Sequence, residues 1–525
     1  MIMLIGERIY QYMAEKNISP YKLVLGVENS KMKEYKNHIL STTIILLLSI
    51  LEMLVGFQLW QLDVLPMKHL LLIAAVALLL NLLVARCLSF NKKKSKRKKI
   101  WRHRALGYFL SVLIVFGLLM VSQAISKVQE TMDEVTETSK VSAVVELYVP
   151  KEDAACGIED ALEYVIAVTD SYDWDNTQSA LADIEKNKEN SVRVKNYANA
   201  FAMADALFAE EVDALLINSA YVDILTEMEI YADFTERVKC IWEYNVQQSV
   251  ESETLEVKSQ EETIEKESVL EPFVVYISGS DTRSKTLKTS RSDVNILAVV
   301  NPKTEHILLV NTPRDYYIGN PAGNGALDKL THCGIYGIEC SMEALSNLYD
   351  VEIDYYGQIN FTGFEKLIDA IGGVDVYSEQ SFTTLHGKHR IQAGENHLNG
   401  SQALGFARER YSMAGGDNGR GSNQMKVIKA VIDQISAGNI ITNYTDIMDS
   451  LKGMFRTNIP GEKISSLVKL QLSEKIHWNV ETYAVTGTGD SARTYSIPGA
   501  NAYVMRPNQE TVDQAKEMIK NCHHQ

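Results

Sequence analysis

The chain has 525 residues, a formal net charge of −15 and a hydrophobic fraction of 46%. That length admits more than one domain. The acidic balance excludes a general nucleic-acid surface, so any functional basic groups must be local and placed.

Residues 1–38 are polar with scattered apolar positions and read as a cytoplasmic segment. Three apolar stretches follow, at 39–60, 70–90 and 106–125. Each has about 20 residues, enough for a helix to span ~30 Å of hydrocarbon. The polar residues ahead of the first stretch argue against a cleavable signal peptide. Between the second and third stretches, the loop at 91–104 carries Lys92, Lys93, Lys94, Lys96, Arg97, Lys98, Lys99, Arg102 and Arg104. Under the positive-inside rule this loop is cytoplasmic, which puts the N-terminus inside and everything beyond about residue 126 outside. The expected location is the cell membrane of a Gram-positive-type bacterium, multi-pass, with three transmembrane helices over 39–126.

Beyond the spans, 144–149 and 214–217 read as strands, and 157–168 and 198–210 as helices. Alternation of this kind predicts an accessory α/β domain over 141–246. Residues 247–271 form a break: seven glutamates and two lysines fall between Glu251 and Glu267. Such a stretch buries little and reads as an acidic linker. Cys87 lies in a span, and the other five of the six cysteines are an odd set that leaves no complete disulfide framework. Cys156 and Cys240 fall in one domain and are able to pair. Cys333 and Cys340, seven apart on a continuous helix, stand ~10 Å apart, too far for a bridge.

The remaining region, 272–525, opens with apolar runs at 273–277, 293–300 and 306–311. Asn301-Pro302-Lys303-Thr304 supplies a hairpin turn between the last two. Helices are expected at 341–349, 361–371 and 423–437, with Gly372-Gly373 capping the second. The fold class is α/β: three N-terminal transmembrane helices, a small α/β accessory domain, and an α/β sandwich catalytic domain with its motif loops at one end of the sheet.

Those loops carry the chemistry. Asp281 ends the first strand. Arg291 and Asp293 are two apart at the start of the next, hence on one face if the strand is regular. Arg314 and Asp315 follow Pro313. Arg408 and Arg410 are also two apart. Arg420 falls in a glycine-rich loop, 414–421, ahead of the helix carrying Gln424. Arginine forks match phosphate oxygens in a planar, two-bonded way that lysine does not. Aspartates beside them suit Mg²⁺, which is held by one or two carboxylates plus substrate phosphates. The set describes a site for a metal-bound pyrophosphate.

From Pro272 to Ala437 the chain resembles the LytR–CpsA–Psr family of cell-wall glycopolymer transferases. The resemblance rests on Arg291-Ser292-Asp293-Val294-Asn295-Ile296-Leu297, Pro313-Arg314-Asp315, Asp328-Lys329-Leu330, Asn360-Phe361, Leu398-Asn399-Gly400, Arg408-Glu409-Arg410 and Gly416-Asp417-Asn418-Gly419-Arg420, in one order. The accessory unit and three spans look like the CpsA-type branch, associated with capsular polysaccharide. The resemblance implies transfer of a glycopolymer from a polyprenyl pyrophosphate carrier to peptidoglycan through a phosphodiester. It implies that Asp281 and Asp293 hold Mg²⁺, that Arg291, Arg314, Arg408, Arg410 and Arg420 grip the phosphates, and that Gln424 completes the site. One departure is Asn423, where many members have arginine. A tail-binding surface is expected from the apolar faces of 294–300 and 361–371, which read equally as ordinary core. Two other functions share these residues: hydrolysis of the lipid pyrophosphate, and non-catalytic sensing of a polysaccharide.

Overall fold

The computed structural model describes residues 20–89, 97–136, 141–170, 173–186, 192–248, 270–280, 287–412, 417–439, 444–497 and 500–524. These fall into two compact units, Met1–Gln129 and Glu130–Gln525.

The first unit is helical. α1 (Pro20–Gln61), α2 (Met67–Leu88) and α3 (Arg97–Thr136) contain three segments long and apolar enough to cross a membrane: Ile39–Gln61, Met67–Leu88 and Trp101–Thr136. α1 starts well before the first span, and α3 runs past the boundary expected near 126. Leu71, Leu79, Phe109 and Phe116 are all exposed. In water that would cost hydrophobic free energy, whereas lipid tails are as apolar as these side chains. Polar groups within the spans find each other: the Asn81 amide donates to Glu52, and Ser122 Oγ donates to Gln58 Oε1 at 2.9 Å. The lysines at 92, 93, 94 and 96, residues 1–19 and most of the acidic linker (249–269) lie outside the described residues.

The second unit holds two main sheets. The first has β1 (Val141–Pro150), β2 (Val165–Val168), β3 (Arg193–Asn196), β4 (Ala214–Asn218) and β5 (Val238–Gln248) in the order β3-β2-β4-β1-β5. Around it lie α4 (Trp174–Glu185), α5 (Ala200–Phe208) and α6 (Ser219–Leu225). The helix expected at 157–168 is instead a single 3₁₀ turn, Ile158–Ala161, followed by β2. Its Val165-Ile166-Ala167-Val168 run is mostly β-branched and pairs in parallel with both β3 and β4. That pairing overrides the helical spacing.

The second sheet has β6 (Phe273–Ser280), β7 (Ser292–Asn301), β8 (His306–Asn311), β11 (Tyr355–Asn360), β12 (Phe455–Thr457) and β13 (Asn479–Ala484), in the order β12-β11-β6-β7-β8-β13. A hairpin of β9 (Tyr317–Asn320) and β10 (Ala326–Lys329) leads into α7 (Leu330–Cys333) and α8 (Ile338–Tyr349). The β7–β8 turn forms where expected: Asn301 Oδ1 accepts from the backbone N–H of Lys303 at 3.1 Å and of Thr304 at 3.2 Å. Residues alternate between two cores. Val274, Tyr276, Leu297 and Val299 pack with Leu345 and Tyr349 of α8 on one face. Val275, Ile296, Ala298 and Leu309 pack with Met425 on the other. This is a sandwich with helices on both sides of a mixed sheet. α9 (Phe361–Ala370) closes at Gly372 and Gly373, with φ of +86° and +90° that glycine adopts without strain. α10 (Gly400–Arg408) and α11 (Asp417–Gln434) follow.

The two sheets share apolar packing as well as the linker. Tyr221, Leu225 and Tyr231 of the first region form one buried cluster with Ile335, Ile497 and Ala502 of the second. All six cysteines are free, including the exposed Cys156 and Cys240. The continuous helix that would separate Cys333 from Cys340 is broken at Gly334–Tyr336, so both side chains reach one core, and the Cys340 thiol donates to Asn320 Oδ1 at 3.3 Å.

Candidate active site

The sheet topology gathers the motif residues at one end of the central strands. β6, β8 and β11 run in one direction and β7 in the other, so the ends of the first three meet the start of the fourth. A cavity of about 670 Å³ opens there. Asp293, Arg314, Arg408, Arg410, Arg420 and Gln424 line it, together with Ser278 and Asn360. Polar and apolar walls separate along the elements. On α11, Arg420 and Gln424 come first, and Val427, Ile428, Val431 and Ile432 follow. At 1.5 Å per residue, the step from Arg420 to Ile432 covers roughly 18 Å. Phe361, Phe364 and Leu367 of α9 form the facing wall. Val294 and these three come from the segments expected to hold a tail, while Val300 and Ile371 at their far ends do not line the cavity.

Asp293 is placed by a β-bulge. Gly279 pairs with Val294 and Ser280 with Ser292, which leaves Asp293 as an extra residue. A bulge breaks the alternation of side chains. Arg291 and Asp293 therefore do not share a face as a regular strand would require. Asp293 and Val294 line the cavity; Arg291 does not, and its Nη1 donates to Glu227 Oε1 at 2.5 Å instead. Asp281 lies outside the described residues.

Arg314 Nη1 donates to Asp293 Oδ1 at 2.8 Å, and Thr331 Oγ1 approaches the same oxygen at 3.4 Å. Arg314 Nε lies 3.6 Å from the buried Asp315. Burial pushes the Asp293 carboxyl up, but Arg314, Arg291 and Arg420 outweigh it and hold it below the usual carboxylate range. Asp293 is thus a fixed anion and a poor proton acceptor. Among the described residues no group of three or more histidine, cysteine or acidic side chains is placed to hold a metal.

Arg408 is the last residue of α10, and its guanidinium carbon lies 4.2 Å from the Phe361 ring centroid, a cation–π distance. The helix ends between Arg408 and Arg410, which is how both reach one cavity. Glu409 between them is 1% exposed. Its Oε1 accepts from the backbone N–H of Tyr411 and Ser412, each at 3.0 Å, and its Oε2 from that of Leu385 at 2.7 Å. Leu385 and Tyr411 both line the cavity, so one carboxylate ties two of its loops. A lone glutamate between two arginines gave no sign of this in sequence.

Arg420 is on the first turn of α11, not in a loop. Its neighbour Gly421 explains the placement: a Cβ there would lie 2.2 Å from Asn311 Nδ2 at the end of β8. Only glycine lets the helix approach so closely. Asn423 is buried and donates from Nδ2 to the Phe406 carbonyl at 3.2 Å. It joins α11 to α10 rather than facing the cavity.

A profile of the LytR_cpsA_psr family matches residues 240–521, more than half of the chain. The polyisoprenyl-teichoic acid–peptidoglycan teichoic acid transferase TagU of Bacillus anthracis is 32% identical over 237 residues, covering 44% of this chain and 77% of that one. TagU of Halalkalibacterium halodurans is 34% identical over 225 residues, 42% and 72% of the two chains. Among solved structures, B. subtilis TagU aligns over 49% of this chain and 98% of its own, at 26% identity and a TM-score of 0.38. The profile match spans the second sheet, the bulge carrying Asp293 and the arginine-bearing helix ends, and on that ground the chain belongs to the LytR_cpsA_psr family.

Proposed function

We propose that this protein moves a glycopolymer, a capsular or wall polysaccharide, from a polyprenyl pyrophosphate carrier to peptidoglycan through a phosphodiester bond. The observation that carries the reading is one cavity with an arginine-rich end and a long apolar end. A polyprenyl pyrophosphate is itself a dianionic head on an apolar chain. The relatives named above are polyisoprenyl-teichoic acid–peptidoglycan transferases, which supports the same donor and acceptor classes here.

In this reading Arg314, Arg408, Arg410 and Arg420 take the pyrophosphate oxygens and stabilise charge that grows on the leaving phosphate. A peptidoglycan hydroxyl oxygen bonds to the sugar-side phosphorus, the bond to the polyprenyl-phosphate oxygen breaks, and polyprenyl monophosphate leaves. The hydroxyl proton ends on the leaving phosphate or in water. The donor chemistry suits Mg²⁺: Arg314 and Thr331 both bond to Oδ1 of Asp293, which leaves Oδ2 without a partner among the described residues. Asp293, with Asp281 as the second carboxylate, would hold the ion, which when bound neutralises pyrophosphate charge.

The three spans anchor the protein, and the basic loop orients the catalytic region outside the cell. A Lys96→Cys variant tests this: labelling of that thiol by a membrane-impermeant reagent in intact cells would sink the orientation. For the reaction, full-length protein in nanodiscs is given labelled polymer on polyprenyl pyrophosphate and peptidoglycan fragments. Label on peptidoglycan is expected. Release of free polymer phosphate alone would make the protein a hydrolase, and no donor consumption would make it a sensor.

A further inference from the structure

We infer that Glu227, carried by the segment after α6 in the accessory unit, is a positioning residue for Arg314 and Asp293, so that the accessory unit supports the active site directly. The inference rests on the reading of the cavity given above. Glu227 stands two residues beyond α6, whose Tyr221 and Leu225 are packed in the apolar cluster shared with Ile335. Its position relative to the second sheet is therefore fixed by buried contacts.

From there a line of alternating charge runs into the cavity. Glu227 Oε1 accepts from Arg291 at 2.5 Å, and Oε2 accepts from Lys329 Nζ. Lys329 Nζ is also 3.6 Å from Asp315 Oδ1, and Asp315 Oδ2 is 3.6 Å from Arg314 Nε. Arg314 then reaches Asp293 at 2.8 Å. The side chains of Lys329 and Asp315 are each 5% exposed, and that of His332, whose Nε2 lies 3.6 Å from Glu227, is 0% exposed. His332, Lys329 and Arg291 together outweigh burial and hold the Glu227 carboxyl well below its ordinary range.

Lys329 is shared between two carboxylates. Without Glu227 it is left with Asp315 alone and draws that carboxylate away from Arg314. Buried cations stripped of an anion are strongly unfavourable, so the line must rearrange. The bulge that delivers Asp293 to the cavity also turns Arg291 towards Glu227, so both ends of the line depend on one local distortion. Because Arg408, Arg410 and Arg420 belong to other elements, donor binding survives while alignment at Arg314 and Asp293 degrades.

The test uses full-length protein in nanodiscs with Glu227→Gln and Glu227→Asp. For Glu227→Gln, kcat for polymer transfer is expected to fall about tenfold, with the donor KM within about twofold, the scale of one charge-assisted bond acting in the transition state. Glu227→Asp should recover part of the rate, since the charge returns. A role in shape alone predicts the reverse order, because glutamine is the isosteric replacement. Phenylglyoxal labelling read by mass spectrometry gives a measure independent of turnover. Arg291 and Arg314 should label several-fold faster in Glu227→Gln than in wild type, with Arg456 as a folding control. Wild-type kcat and protection in Glu227→Gln, or a glutamine variant better than the aspartate one, overturn the inference. If wild type itself transfers no polymer, the functional reading falls and the labelling pattern alone decides the inference. Should Glu227→Gln not fold, Glu227→Asp decides: intermediate loss and labelling support positioning, and wild-type values overturn it.

Discussion

The two ends of the cavity are built by opposite means. The charged end takes its side chains from several backbone terminations: Asp293 from the bulge opening β7, Arg314 from the turn after β8, Arg408 and Arg410 from the end of α10, and Arg420 from the first turn of α11. The apolar end takes consecutive turns of two regular helices, α9 and α11, plus the inner strand residues Val275 and Ile277. Charge therefore depends on where the chain stops, and apolar length on where it continues. A ligand with a compact anionic head and an extended tail uses both.

The largest break in that comparison is expected at the charged end. Arg410→Ala should lower transfer roughly 10- to 150-fold, since loss of a charge-assisted bond costs ~1.5–3 kcal/mol. Arg410→Lys should recover only part, because the charge returns without the fork geometry. Transfer to peptidoglycan fragments by folded variants measures both. Full activity in the alanine variant would remove Arg410 from the phosphate grip.

Asp293→Asn comes next. It removes the anion that Arg314 holds and a carboxylate proposed for Mg²⁺. Mg²⁺ affinity in the presence of a polyprenyl pyrophosphate, measured by calorimetry, should drop about tenfold or more. An unchanged affinity would assign the ion elsewhere.

The motifs at the charged end were legible because arginine and aspartate beside proline, glycine and strand ends have few ordinary explanations as a set. Their geometry was not. No spacing rule announced that β7 would bulge at Asp293, so Arg291 was expected on the cavity wall and is found against Glu227. Arg420 looked like a loop residue because Gly416, Gly419 and Gly421 surround it; the structure uses Gly421 for close packing of a helix. The apolar end was visible only as two candidate segments. Phe361, Phe364 and Leu367 carry the same spacing whether they face a ligand or a core. In the accessory region the β-branched run 165–168 was absorbed into a helix, because short apolar runs do not distinguish the two by period alone.

A third prediction separates the ends directly. Val431→Trp puts bulk into the apolar trough while leaving the arginines in place. Affinity for a long-chain polyprenyl pyrophosphate should fall roughly tenfold, the loss of about two buried methylene groups at ~0.8 kcal/mol each. Affinity for a two-isoprene analogue should stay within about twofold, since its tail does not extend that far. Equal losses for both would mean that the trough does not hold the tail.

The smallest effect is expected at Glu409, and it falls on stability and on the loops rather than on phosphate binding. The carboxylate faces away from the phosphate arginines, yet it is buried and accepts three backbone N–H bonds from two cavity loops. Glutamine keeps one oxygen and presents an NH₂ to the remaining donor or donors. At least one buried N–H then loses its acceptor, a cost of about 1–3 kcal/mol. Glu409→Gln is therefore expected to lower Tm by several degrees and to raise donor KM modestly as the loops at Leu385 and Tyr411 loosen. The sign of the pH dependence follows from the same bonds. Burial raises the Glu409 carboxyl, but the N–H groups of Ser412, Leu385 and Tyr411 outweigh it and leave it below its ordinary value of 4.5. A group depressed in the folded state contributes stability above its unfolded pKa and loses it as pH falls through the folded one. Wild type should thus exceed the Gln variant in Tm at neutral pH, and the gap should narrow as the pH is lowered below 4.5. A gap that is absent at neutral pH, or that widens in acid, would show that Glu409 does not staple the two loops.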